Sequence, residues 1–436
     1  MEKVIDVCTR IEGHANVNVF VKHEKILTVE FKTEVFRGFE NILKGKNLME
    51  APKIVSRICG LCDISQTLAS CKAIESMYNV KPSKQSINIR RLLLTGEMLK
   101  SHLMHFFFQS YPDLLKIFEY SHKTLDPYEL IKFNPQLTTK IYELIKIGNE
   151  IDNIFGGRPI HVITAVPGGQ LYKHKTKNLT LAMKYLHKAI ENLEWILDHF
   201  LQLFSHKNPP EAFGLPYVKY LAINNKNIYD RYEGNFSIKR NTDHKSFSFS
   251  IDNYHDYFDK DLDPFVRGIT SISDKKLNFI VGPLARFNVL QFYEFDGFYS
   301  YIDSFENSWK ENLLFANFLR LFELLIECKN AITLLENTNL TQSSPLPVLK
   351  NPHHNEGLGV VEAPRGTLIH HYLLDDYKNI KQVKLFIATE INIPLINQML
   401  TNYAKSLYEK EDINTVTRKV QTIVRAFDPC ISCATH

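Results

Sequence analysis

Two Cys-x-x-Cys pairs stand near opposite ends of the chain: "RICGLC" holds Cys59 and Cys62, and "DPCISC" holds Cys430 and Cys433. This spacing lets two thiolates reach one ion from a single turn, and such soft donors favour nickel, copper, zinc or iron. The first pair precedes a helix predicted from about Ile64, and the second follows one. A helix N-terminus lowers a thiol pKa, which places Cys62 to be a thiolate. Three readings compete. A single pair is compatible with chance or a structural role. Two pairs suit structural zinc, whose tetrahedral shell takes four thiolates but normally staples a small local module. The third reading is a buried catalytic metal clamped between the two ends of a large fold.

The elements that must carry these sulfurs are partly visible in the pattern. Residues 15–31 alternate apolar and polar, with Val17, Val19 and Val21 followed by Leu27, Val29 and Phe31. A turn at His23-Glu24-Lys25 makes this an N-terminal β-hairpin. Beyond Ala51 the period changes, and Ile64, Leu68, Cys71, Ile74 and Tyr78 form a helical stripe. Ser86 is predicted to open a helix running to about Gln109, another helix is expected over 179–206, and one or two more over 305–337. "VTRKVQTIVRAF" reads as a final helix stopped by Asp428-Pro429. Residues 207–300, rich in Asn, Asp, Tyr and Ser, read as strands and loops. The expectation is a single helix-rich α+β unit spanning 1–436. It has a hairpin region at 1–50, a helical core at 51–206 and 301–436, and a strand- and loop-rich insertion at about 207–300.

Composition excludes several classes. The formal net charge of +4 over 436 residues gives no footprint for nucleic acid or an acidic membrane. The N-terminus lacks an apolar signal core. Arg320, Glu323 and Glu327 interrupt the most apolar long stretch, which argues against a membrane span. Seven cysteines, four of them in two short pairs, point to a reducing compartment and a metal or redox site.

Six segments in order complete the reading: "TRIEGHA" at 9–15, "FRGFENILKGK" with "SRICGLC" and "LAS" at 36–70, "SHLMHFFFQSYPD" at 101–113, "GGRPIHVITAVPGG" at 156–169, "GLGVVEAPRGTLIHHY" at 357–372 and "DPCISCATH" at 428–436. Together they resemble, from end to end, the large catalytic subunit of nickel–iron hydrogenases. Ser101 and the "HFFF" after it look more like the cytoplasmic, group 3-type enzymes.

That resemblance implies the fold, with a central bundle of long helices, and a set of roles. Cys59, Cys62, Cys430 and Cys433 would bind nickel, with Cys62 and Cys433 bridging to an iron that carries carbon monoxide and cyanide. Dihydrogen is a very weak acid, so its heterolysis needs a metal for the hydride and a nearby base for the proton. A buried anionic cluster needs fixed cations and hydrogen-bond donors around it, for which Arg57 and Arg365 are the candidates. Arg365 matches the family arginine over the open metal position, as a base or as an electrostatic partner. Pro364 and Thr389 match residues packed around the iron's diatomic ligands, and Asp428 a carboxylate near the arginine. Glu12 matches the glutamate that relays protons, where burial would raise its pKa. Glu40 and His436 match the ligands of a magnesium-like ion. The family precursor carries a tail beyond this histidine that is cut off after nickel insertion. A chain ending at His436 resembles the matured form, or one whose gene encodes no tail.

Gln66 departs from the family pattern. It stands where many relatives have a histidine hydrogen-bonded to a bridging sulfur, and it cannot titrate. Cys8, Cys71 and Cys328 fall in no motif and read as small buried hydrophobes. His102 and His105 suit a core hydrogen-bonding role as well as a functional one. The implied activity is reversible cleavage of dihydrogen to protons and electrons. With no cysteines left for a relay, iron–sulfur clusters must lie in a small partner subunit, with further electron-transfer subunits beyond it. Rival readings are a hydrogen sensor of low turnover, a zinc protein, and a relative of the respiratory quinone-reducing complex, which has lost the cysteines that this chain retains.

Overall fold

The computed structural model describes residues 2–33, 38–226, 228–260, 269–271, 277–290, 299–337, 339–342 and 345–435. It opens with three antiparallel strands, β1 (Glu2–Val7), β2 (Asn16–Lys22) and β3 (Lys25–Lys32), in the order β1-β2-β3. The expected hairpin is β2–β3. Its turn places both His23 (φ 50°) and Glu24 (φ 56°) in the left-handed region, as a two-residue turn between right-twisted strands requires. The strand not foreseen is β1, whose Ile5 and Val7 face outward.

The long helices follow: α1 (Asp63–Met77), α2 (Lys84–Met104), α3 (Pro135–Gly156) and α4 (Thr176–Phe204). Ser83, not Ser86, caps α2, its hydroxyl accepting from Ser86 N at 3.2 Å. The helix does not run on unchanged to Gln109. At His105–Ser110 it widens into one π-helical turn, a distortion that recurs at functional sites. α1 is buried on nearly all sides, so its apolar stripe marks only part of what it packs against.

In the insertion, β4 (Val218–Asn224), β5 (Asn235–Arg240), β6 (Ser246–Phe249) and β7 (Asn278–Ile280) form a mixed sheet in the order β7-β4-β5-β6. Then come α5 (Phe315–Asn337) and an antiparallel sheet, β8 (Glu356–Ala363), β9 (Gly366–Leu374) and β10 (Ile380–Phe386), in a region expected to be helical. Finally α6 (Ala388–Tyr408) precedes α7 (Ile413–Phe427). The fold is α+β and helix-rich. One apolar cluster joins residues from Cys8 to Cys433. A second lies between the insertion sheet and β8–β9, with Leu221, Phe236 and Ile238 against Val360 and Ile369.

β8 lies directly on α1. A Cβ on Gly359 would overlap the carbonyl oxygen of Ala69, and one on Gly357 that of Ala73. This close approach matters because α1 begins at Cys62 and the β8–β9 turn carries Arg365. Gly359→Val is therefore expected to destabilise the protein by about 1–3 kcal/mol through overpacking, read as a lower denaturation midpoint than that of the parent protein.

Candidate metal centre

Cys59 and Cys62 lie in the short connection between the helix Ala51–Val55 and α1. Cys62 is the N-cap residue of α1, its carbonyl accepting from Gln66 N at 3.0 Å. Leu61 N turns back toward Cys59 Sγ at 3.4 Å. The second pair follows α7, which ends at Asp428 in the left-handed conformation (φ 57°). Cys430 is held by its backbone: its N–H donates to Thr389 Oγ1 at 2.9 Å, it bridges in parallel to Glu12, and Ile431 N donates to Glu12 O at 3.1 Å.

These connections bring all four sulfurs within 4.8 Å of one another, buried, with Cys430 Sγ 3.5 Å from Cys59 Sγ. Thiolates about 2.3 Å from a tetrahedral ion sit about 3.8 Å apart, so the quartet has the size to hold a metal. Hydrogen bonds from Cys430, Cys433 and Cys62 hold the Cys59 thiol well below its usual range, while burial pushes Cys430 well above its own.

Arg365 sits at the tip of the two-residue turn between β8 and β9, where Ala363 pairs with Gly366. Its Nη1 donates to Cys62 Sγ at 2.9 Å, and its Nε to Asp428 Oδ1 at 3.0 Å. Burial alone would lower its pKa, but Asp428 and the sulfurs outweigh this and raise it well above its usual value. Nη2 has no hydrogen-bond partner among the described residues. A buried donor left over beside four sulfurs is what an acceptor ligand on a bound metal would satisfy, so the residues present fit such a group.

Three placements differ from expectation. Arg57 is exposed, and the second buried cation near the sulfurs is Arg320 of α5. Its Nε lies 3.9 Å from Asp428 Oδ2 and its Nη2 donates to Ala426 O at 3.0 Å. Gln66 has its Oε1 2.7 Å from His370 Nε2, in a chain that continues to Tyr372 and Ser70. Glu12 is half-buried rather than buried, and its carboxylate accepts from Ser432 N at 3.0 Å and Ser432 Oγ at 2.5 Å.

Glu40 accepts from Leu385 N at 3.0 Å, and His436 lies outside the described residues. Pro364 is buried in the Arg365 turn, its carbonyl accepting from Arg286 Nη2 at 3.0 Å. Arg286 was not foreseen. Fully buried, it pairs with Glu323 at 2.6 Å and Glu362 at 3.1 Å, and so fixes the turn. The visible signal was Arg320, Glu323 and Glu327 inside an otherwise apolar helix, since charges buried there need partners. His102 and His105 are core residues: His102 meets Glu323 at 3.1 Å and His105 the Arg425 carbonyl at 2.6 Å. Burial holds both below their usual pKa, His102 at about 4.

The chain is similar to several known proteins. The family model described as nickel-dependent hydrogenase matches residues 37–143 and 281–436. The chain is 30% identical to the NAD-reducing hydrogenase HoxS subunit beta of Cupriavidus necator, over 99% of this chain and 94% of that protein. It is 29% identical to the matching chain of the F420-non-reducing hydrogenase of Methanothermobacter marburgensis, over 98% and 93%. Among solved structures, an NAD+-reducing [NiFe]-hydrogenase in the H2-reduced state matches with a TM-score of 0.90 at 26% identity, covering 100% of both chains. The Ni-Fe-Se hydrogenase of D. vulgaris Hildenborough shares the fold with a TM-score of 0.79 at 21% identity, again over 100% of both chains.

Proposed function

Because the chain belongs to the nickel-dependent hydrogenases and is their large, catalytic subunit, we propose that Cys59, Cys62, Cys430 and Cys433 hold a nickel–iron pair whose iron carries carbon monoxide and cyanide. The observation carrying this reading is the buried sulfur quartet with Arg365 Nη1 on Cys62 Sγ. Bound there, the two metals would supply the redox chemistry for reversible heterolytic cleavage of dihydrogen. The protein's own groups then have separable tasks. Arg365 holds positive charge against the anionic centre and presents Nη2 to a ligand, and Asp428 fixes the plane of the guanidinium. Thr389 sets the position of Cys430, and Pro364 with Arg286 sets that of Arg365. Gln66 acts at one remove, through His370.

Glu12 takes the proton that leaves on the Cys433 side, its carboxylate poised on Ser432 N and Oγ. Glu12→Gln keeps the shape but cannot accept a proton. Dihydrogen oxidation is expected to fall by about 10²–10⁴-fold, with nickel content and the metal-carbonyl infrared bands unchanged; loss of those bands instead would mark Glu12 as structural. Glu40 and His436 are assigned to a magnesium-like ion, for which a carboxylate and few protein ligands suit a hard cation that keeps its waters.

Electrons leave through a small iron–sulfur subunit, with further electron-transfer subunits beyond it. Exposed Ile160 supports a contact surface beside the first cysteine pair, with exposed Ile163, Leu171 and Leu346 as further apolar residues of the surface. A Cβ on Gly60 would lie 3.8 Å from Ile160, Ile163 packs on Gly157, and Leu346 on Gly169. We take residues 1–436 as one catalytic unit acting in the cytoplasm. In support, all seven cysteines are free thiols, as suits a reducing compartment. Metal analysis, infrared spectroscopy and dihydrogen-dependent dye reduction on the complex with its partner test the whole reading. Zinc without nickel, and no metal-carbonyl bands, would overturn it, and nickel with negligible turnover would favour a sensor.

A further inference from the structure

A second group of metal-ligating side chains converges on the opposite end of the β8–β9 hairpin. Among the described residues, His255, Glu356 and His371 bring one ligand atom each within 4.8 Å of the others. Glu356 and His371 share a face of the sheet. His371 pairs with Leu358, so Glu356 is its diagonal cross-strand neighbour, a separation that a long side chain spans. His255 comes from the insertion, on the 3-10 turn Ile251–Asp256. That turn is anchored by buried Tyr254, whose ring packs edge-on to Phe386 at 5.1 Å. The His255 and His371 rings then lie 5.5 Å apart.

We propose that His255, Glu356 and His371 form a surface zinc site that ties the 251–256 turn to the β8–β9 hairpin. Two imidazoles and one carboxylate are a donor set that zinc accepts, at about 2.0–2.2 Å each and about 3.4 Å from one another in a tetrahedron. The three atoms lie within 4.8 Å of one another; binding needs the close His371–Glu356 pair to open and the wider separations to close, and Glu356 is exposed enough to adjust. His371 Nε2 already lies 2.5 Å from Glu356 Oε1, so an acceptor carboxylate and a ring nitrogen aim at one point, with a proton between them. Zinc takes the place of that proton, which the neutral ring then carries on its other nitrogen.

The second ring nitrogen of His371 is provided for. Nδ1 lies 2.7 Å from the Tyr254 hydroxyl, so in the zinc-bound tautomer Nδ1–H donates to the Tyr254 oxygen. Such an outer partner fixes the ring of a metal-bound histidine. A cavity of about 470 Å³, bordered also by Asp252 and His354, opens in front of the three side chains and leaves the fourth position to water. The site depends on none of the sulfurs and stands apart from the assignment of the nickel–iron centre.

The test uses the untagged, nickel-loaded complex washed with chelator and titrated with zinc sulfate in a calorimeter. One saturable equivalent is expected, with nickel content constant throughout. His255→Ala and Glu356→Gln alter exposed side chains and should leave the fold intact, yet each is expected to weaken zinc binding by about 100-fold or more. Zinc-edge X-ray absorption should report nitrogen and oxygen neighbours. Absence of saturable binding, undiminished binding in both variants, or a sulfur-dominated shell would each overturn the proposal.

Discussion

Cys430→Ser is expected to yield a folded complex with little or no nickel and dihydrogen oxidation at background. A serine hydroxyl does not ionise near neutral pH and is a hard donor, so one corner of the quartet is lost. The remaining three sulfurs are left buried around an incomplete shell. The backbone of residue 430 keeps its bonds to Thr389 and Glu12, which is why loss of metal rather than unfolding should dominate. The matched control is Cys8→Ser. Cys8 is equally buried, and burial pushes its pKa up to about 12, but it lies outside the quartet. That variant should keep its nickel and most of its rate. Metal content per complex, measured beside dye reduction, separates the two, and full nickel occupancy in Cys430→Ser would remove that sulfur from the centre.

Arg365→Lys should lower the turnover rate by about 10²–10³-fold while nickel stays bound. The charge survives, but the fork does not. One guanidinium now spans Cys62 Sγ through Nη1 and Asp428 through Nε, and a flexible ammonium cannot hold both in a fixed plane. Losing one positioned donor in a water-excluded site costs roughly that much in rate. The change should appear in the maximal rate more than in the apparent affinity for dihydrogen. A rate within about threefold of the parent would show that charge alone suffices at this position.

How much of this is legible in the sequence follows from what each element buries. The sulfur pairs are visible because cysteine is rare and its spacing is chemical. Helices such as α7 are visible because one face is wet and the other dry: Val416, Val420, Ile423 and Val424 are buried along it. The β8–β9 hairpin shows in the sequence as a motif but not as a pair of strands. Both strands are buried on both faces over most of their length, which erases the alternation that marks a strand. α3 carries a periodic signal, with Leu137, Ile141, Leu144, Ile147 and Ile151 all buried, yet it lies outside the helices expected individually. Arg286 and Arg320 cannot be placed from local pattern, because their partners Glu323, Glu362 and Asp428 come from other elements or distant turns. The contact of Gln66 with His370 crosses between α1 and β9 in the same way.

The parallel bridge between Glu12 and Cys430 has a bearing on biogenesis. Closing so large a loop costs entropy that only later contacts repay. During synthesis the amino-terminal strands and the first sulfur pair emerge long before residues 428–433 leave the ribosome. For that interval only one wall of the candidate centre has been made, and the segment after α7 is the last piece to complete it.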